Sequence, residues 1–149
     1  MSEHAATISW RNDSGQMDYD TYPRDHRWEF DGGPAVPASA APSYKGGAGR
    51  VDPEEALVAA AASCHMLTFL AVAAKKKLVV ASYEDRAVGH LEQDAEGRLA
   101  VTRIELHPRV QFAGAAPLAA DLARLHESAH RNCFIANSIR AAISVAAAD

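Results

Sequence analysis

The sequence predicts an α+β fold on three observations. A long apolar segment with capping residues at its start runs from Pro53 to about Lys76. Two β-rich stretches, Leu78 to Glu92 and Leu99 to Phe112, follow it and are joined by a turn. A second helical period, Leu118 to His130, comes after them. The full order is β, long helix, β-hairpin, helix, short helix, β, expected as one domain over residues 1–149.

Each element has its own signals. Thr7 to Arg11 and Arg27 to Phe30 read as strands, with Trp10, Trp28 and Phe30 offering one-sided burial. Asp31 to Gly49 is rich in Gly, Pro, Ala and Ser and reads as a long loop, with room for a strand near Ala38 to Tyr44. Asp52 suits the N-cap of the long helix, Pro53 its first turn, and Glu55 lies three residues after the cap. Glu54 and Glu55 complement the positive end of the helix dipole, and Lys75, Lys76 and Lys77 the negative end. Asp94-Ala-Glu-Gly97 is a hairpin turn. Ile104, Leu106, Val110 and Phe112 alternate to give one buried face, and Pro108 points to an edge or a bulge. Leu118, Leu122, Leu125 and Ala129 share a helix face. Cys133 opens a short helical segment, and Ala141 to Ala147 form a last strand.

Composition excludes some classes of function. The chain is 48% hydrophobic and 23% charged, ordinary for a globular protein. A net charge of -4 with no basic block gives nucleic acid no electrostatic footprint. Ala56 to Ala74 carry no formal charge, which invites a membrane-span reading. The segment is mostly alanine and includes Ser63, Cys64, His65 and Thr68, so a core helix buried on several sides is expected, and no membrane partner. The start, MSEHAATISW, lacks a basic stretch followed by an apolar run, so a cytoplasmic, reducing location is expected.

The candidate chemistry centres on AAAASCHMLTFLAVAA, Ala59 to Ala74. Cys64 is either an inert small hydrophobe or a reactive thiol in a dry site. Burial without a positive charge raises a thiol pKa, so a reactive Cys64 needs a cation. His65 is its neighbour but points about 100° away around the helix. Arg24 and Arg27, in YPRDHRWEF, are the candidates, since a guanidinium stays charged and a carboxylate can hold it bidentately.

The pattern PEEALVAAAASCHMLTFL, followed after a β-hairpin by LHESAHRNCFIANSI, resembles the OsmC/Ohr family, the osmotically inducible protein C and organic hydroperoxide resistance proteins. The resemblance spans Asp52 to Ile139 and is loose over the first 45 residues. It implies an OsmC-like fold, an intertwined homodimer, and a thiol-dependent peroxidase acting on organic hydroperoxides. Cys64 falls on the peroxidatic cysteine, Cys133 on the resolving one, and Glu54 on the glutamate that pairs with the catalytic arginine. Arg24 is the choice for that arginine, with Arg27 the fallback. No cofactor or metal is implied, while a dithiol, or a lipoylated or thioredoxin-like protein, is implied as reductant. Asp52, His65 and Phe134 stand where better-studied members often have an asparagine, an aromatic residue and a proline.

Helix geometry agrees with a two-chain site. Glu54 and Cys64 are ten residues apart, about 15 Å along the axis and about 80° around it. Two antiparallel copies could bring Glu54 of one toward Cys64 of the other. Two further readings compete. HESAH, His126 to His130, matches the H-E-x-x-H zinc pattern, though no histidine follows His130 as a third ligand. A non-enzymatic small-molecule binder could use an apolar pocket on the same fold. His65 is expected to hydrogen-bond in the core rather than tune the thiolate.

Overall fold

The computed structural model describes residues 1–146; Ala147, the expected end of the last strand, lies outside them. The α+β expectation holds, and the chain divides into two compact units, Met1–Ala56 and a second beginning at Leu57.

The first unit is a three-stranded antiparallel sheet in the order β1-β2-β3. Its strands are β1 (Ala6–Ser9), β2 (His26–Phe30) and β3 (Ala35–Ala38). Ile8 pairs with Trp28, and Trp28 with Val36. The expected loop therefore contains a strand, but one that ends where Ala38 to Tyr44 was to begin. Pro42–Tyr44 is a 3-10 turn, with Pro at its start and Lys45 left-handed at φ 67°. Gly46 then passes so close to the Ala40 carbonyl that a Cβ there would sit 1.6 Å from its oxygen. Only glycine allows that approach.

Helix α1 (Pro53–Lys75) begins as expected, with the Asp52 carboxylate accepting the Glu55 N–H at 2.8 Å. Its end is a Schellman motif: Leu78 N–H reaches Ala73 O at 3.0 Å and Lys77 N–H reaches Ala74 O at 2.9 Å. Lys77 takes the left-handed position at φ 59°. The helix is long and apolar enough to cross a membrane by length and composition. One stripe of it is buried, Ala61, His65, Phe69 and Ala73, spaced by four residues. The expectation of burial on several sides is corrected: among the described residues of one chain a single face is buried.

In the second unit the two β-rich stretches each split. Strands β5 (Val88–Gln93) and β6 (Leu99–Leu106) form the expected hairpin. Asp94 Oδ1 accepts the N–H groups of Glu96 and Arg98, and Gly97 is left-handed at φ 78°. Around that hairpin, β4 (Val80–Asp85) pairs with β7 (Pro108–Phe112) as a separate two-stranded sheet. β8 (Ala142–Val145) joins β6 in parallel. Pro108 is tolerated because it opens β7, in a sheet that among the described residues has two strands.

The single face expected for Ile104, Leu106, Val110 and Phe112 thus divides between two cores. Ile104 and Leu106 pack with Ala61, while Val110 and Phe112 pack on Phe69, Ala73, Leu125 and Ala129. Helix α2 (Ala119–Asn132) supplies Leu125 and Ala129. Leu118 precedes α2 and is 76% exposed, so it leaves the expected face. The short helix expected after Cys133 is a series of turns. Cys133 is extended at φ −74°, ψ 114°, and the Ser138 hydroxyl takes the Phe134 carbonyl that a helical amide would use.

Candidate active site

Two elements bring the cysteines together. Cys64 lies at mid-helix in α1, half-exposed beside the buried stripe, and Cys133 caps α2 and is buried. Both are free thiols. Each is close enough to change the other's acidity, and the changes are opposite in sign. Burial pushes the Cys64 thiol up, but the Ile135 N–H, the Cys133 thiol, the Phe134 N–H and the Thr68 hydroxyl outweigh it, leaving Cys64 below the ordinary thiol range. Burial pushes Cys133 up, and the neighbouring Cys64 pushes it further, against the N–H groups of Ala136 and Ile135. Cys64 sits at a partly open surface, and within its own unit the groups that hold it below the ordinary thiol range are neutral donors.

A groove of about 680 Å³ runs along α1 from this pair. Cys64, Leu67, Thr68 and Phe134 line it, with Lys75 and Lys76 also among its lining residues. Its wall is mostly apolar, with the low-pKa thiol within it.

His65 turns away from this groove. Its Nε2 lies 3.1 Å from His126 Nδ1, the two rings are near parallel, and Phe69 stacks on His126 at 4.5 Å. Burial, with His126 and His130 adding to it, pushes His65 down to about 4. A histidine hydrogen-bonded in the core was the expectation, and the contact with His126 meets it. His126 likewise lies low because it is buried. The zinc reading fares poorly, since His126 directs Nδ1 at His65 and Glu127 is exposed. Among the described residues no three His, Cys, Asp or Glu side chains are grouped to hold a metal.

The other expected site residues lie in the first unit. Glu54 is in the first turn of α1 and makes no ion pair among the described residues. Arg24 donates to the carbonyls of Tyr22 and Tyr19, and its guanidinium lies 3.7 Å from the Tyr22 ring centroid. Arg27 pairs with Glu29 on the exposed side of β2 at 2.7 Å. Sequence reasoning missed Thr68 and the Phe134 and Ile135 amides. Thr68 could have been found as the residue four after Cys64, one turn along the same helix face.

The family model of OsmC-like proteins matches residues 46–147, a span holding both cysteines, Glu54 and both helices. This chain belongs to the OsmC-like protein family. Solved structures agree with the OsmC-like fold. An OsmC-like protein of unknown function from Vibrio cholerae is 44% identical, with a TM-score of 0.94 over 99% of this chain and 100% of that one. An organic hydroperoxide resistance protein from Elizabethkingia anophelis is 19% identical, with a TM-score of 0.73 over 99% and 94%. The organic hydroperoxide resistance protein OhrB of Bacillus subtilis is 16% identical, with a TM-score of 0.68 over 98% and 96%. At the last two identities the likeness is one of fold. No curated protein matches the chain.

Proposed function

We propose that this OsmC-like protein is a thiol-dependent peroxidase that reduces organic hydroperoxides. One observation carries the reading: two free thiols within mutual influence, one pushed down and one pushed up. That is the asymmetry a nucleophile and its resolving partner need. The Cys64 thiolate attacks the terminal peroxide oxygen and the O–O bond breaks. The alkoxide leaves and takes a proton to become the alcohol, and Cys64 becomes a sulfenic acid. Cys133 then attacks that sulfur, water departs, and a disulfide remains. An external dithiol, a lipoylated or a thioredoxin-like protein, reduces it by thiol–disulfide exchange. A reducing cytoplasm would supply such a partner. The apolar groove favours an alkyl hydroperoxide over hydrogen peroxide.

The working form is a homodimer. Among the described residues only one stripe of α1 is buried, and Leu67 on another face is 60% exposed. A second copy laid antiparallel on this alanine-rich face would cover it. The same copy would bring Glu54 and Arg24 near the Cys64 of its mate, where the guanidinium would bind the peroxide and stabilise the leaving alkoxide.

Steady-state consumption of cumene hydroperoxide with a dithiol reductant tests the reading. Wild type turns over, and Cys64→Ser does not. A Cys64→Ser protein as active as wild type would sink the proposal. The second reading, a non-enzymatic binder, draws on the groove alone. It predicts cysteines indifferent to peroxide and ligand retention after Cys64→Ser.

A further inference from the structure

A histidine pair joins α1 to α2. His65 Nε2 and His126 Nδ1 are 3.1 Å apart, their rings are within 5° of parallel, and the ring centroids are 5.4 Å apart. The centroid separation exceeds the nitrogen–nitrogen distance by about one ring diameter, so the rings meet edge to edge in one plane. That is a straight N–H···N bond, with one ring donating and the other accepting. Each ring keeps one further nitrogen, His65 Nδ1 and His126 Nε2, both buried with no hydrogen-bond partner among the described residues. Phe69 stacks on one face of the His126 ring. With one edge on His65 and one face under Phe69, what His126 offers beyond the core is its Nε2 edge. His126 is 4% exposed and lines a cavity of about 420 Å³ with Ala123, Glu127, His130, Ile143 and Val145. His130 Nδ1 is also buried and unpartnered among the described residues. Neither cysteine lines this cavity.

We propose that this cavity is a second binding site, which takes a small, mainly apolar molecule bearing one hydroxyl group. Two unpartnered nitrogens beside one space call for a shared partner, because each costs free energy until it is bonded. Positions 126 and 130 are one turn apart on a helix face, with about 5–6 Å between Cβ atoms, a span that one group can bridge. The bond to His65 allows two arrangements. If His65 donates, His126 carries its proton on Nε2; if His126 donates, Nε2 is a bare acceptor. A hydroxyl both donates and accepts, so it serves His126 and His130 in either arrangement. A carboxylate accepts only, and it would share the cavity with the Glu127 carboxylate. A metal ion finds no group of three His, Cys, Asp or Glu ligands among the described residues. Burial pushes both rings of the pair down, His65 to about 4, so the pair is neutral at pH 7 and bonds its ligand without charge. Ala123, Ile143 and Val145 give the body of the ligand an apolar wall. Cys64 has no part in this site, so the site stands apart from the peroxidase reading.

Phenol and benzene, which differ by the hydroxyl alone, are the probes. Each is titrated into the reduced full-length protein at pH 7 while nitrogen–proton correlations of the histidine rings are followed. Phenol should shift the ring signals of His126 and His130 saturably, with a Kd on the order of 1 mM, and benzene should bind at least about threefold more weakly. His130→Ala removes one partner and leaves the His65–His126 bond in place. It should weaken phenol about threefold to tenfold, with the His65 ring signals of the free protein unchanged as a report on the core. Equal shifts from phenol and benzene would overturn the proposal, as would phenol shifts that leave the His126 and His130 rings unmoved. Zinc, titrated in the same way, would overturn it by binding the two rings tightly and excluding phenol, which would assign the cavity to a metal. The wild-type titrations need no variant, so they decide the matter even where His130→Ala fails to fold. None of these measurements uses peroxide.

Discussion

At the scale of residues, three side chains divide the work around α1. Cys64 faces the groove, Thr68 sits one turn on, and His65 faces the core. Cys133→Ser removes the proposed resolving thiol, so hydroperoxide should leave a sulfenic acid on Cys64 that dimedone traps; wild type should give none. Thr68→Val removes a hydroxyl that donates to the Cys64 carbonyl at 2.8 Å and can rotate to the sulfur when it ionises, and it should slow Cys64 alkylation at pH 7 by about threefold, with little loss of fold. His65 carries a different prediction. Its ordinary value is 6.5, and burial holds it at about 4 in the folded protein. Between those pH values the unfolded chain takes up a proton that the folded chain refuses. Stability is therefore full above pH 6.5 and falls as pH drops toward 4, by on the order of 3 kcal/mol. His126, also pushed down by burial, acts in the same direction. Urea midpoints measured at pH 7 and pH 4.5 check this, and equal midpoints would contradict it.

At the scale of elements, what was legible in the sequence was what local chemistry sets. Asp52 caps α1, Asp94 and Gly97 close the hairpin, and the four-residue spacing of Leu125 and Ala129 places α2. Non-local pairing was hidden. Nothing in the alternation of β6 and β7 says that one joins β5 and β8 while the other joins β4. The site followed the same rule. Cys64 and Cys133 were legible as letters, while the Phe134 and Ile135 amides have no letter, since every residue but proline carries one. Two substitutions test the element packing. Lys77 occupies a left-handed position that favours glycine, so Lys77→Gly should stabilise by about 0.5–1 kcal/mol in urea denaturation. Gly89 lies under α1, where an added Cβ would stand 2.4 Å from Val58 Cγ2. Gly89→Ala should destabilise by about 1–3 kcal/mol, because valine is stiff and cannot step aside.

At the scale of the whole molecule, the chain has two compact units and a long apolar helix with one covered face. The proposed homodimer would cover the alanine-rich surface and would let Glu54 and Arg24 act in trans. Hybrid dimers separate this from a site complete in one chain. Glu54→Ala and Cys64→Ser should each be impaired alone. Mixed and reassembled at equal amounts, they should recover up to about a quarter of wild-type turnover, from hybrids with one intact site. No recovery would place the whole site in a single chain. The most direct measurement is intact mass and peptide mapping of the reduced protein after one equivalent of an organic hydroperoxide. The account predicts loss of both thiols and a Cys64–Cys133 disulfide within each chain. Unreacted thiols, or oxidation of Cys64 with Cys133 left free, would contradict it.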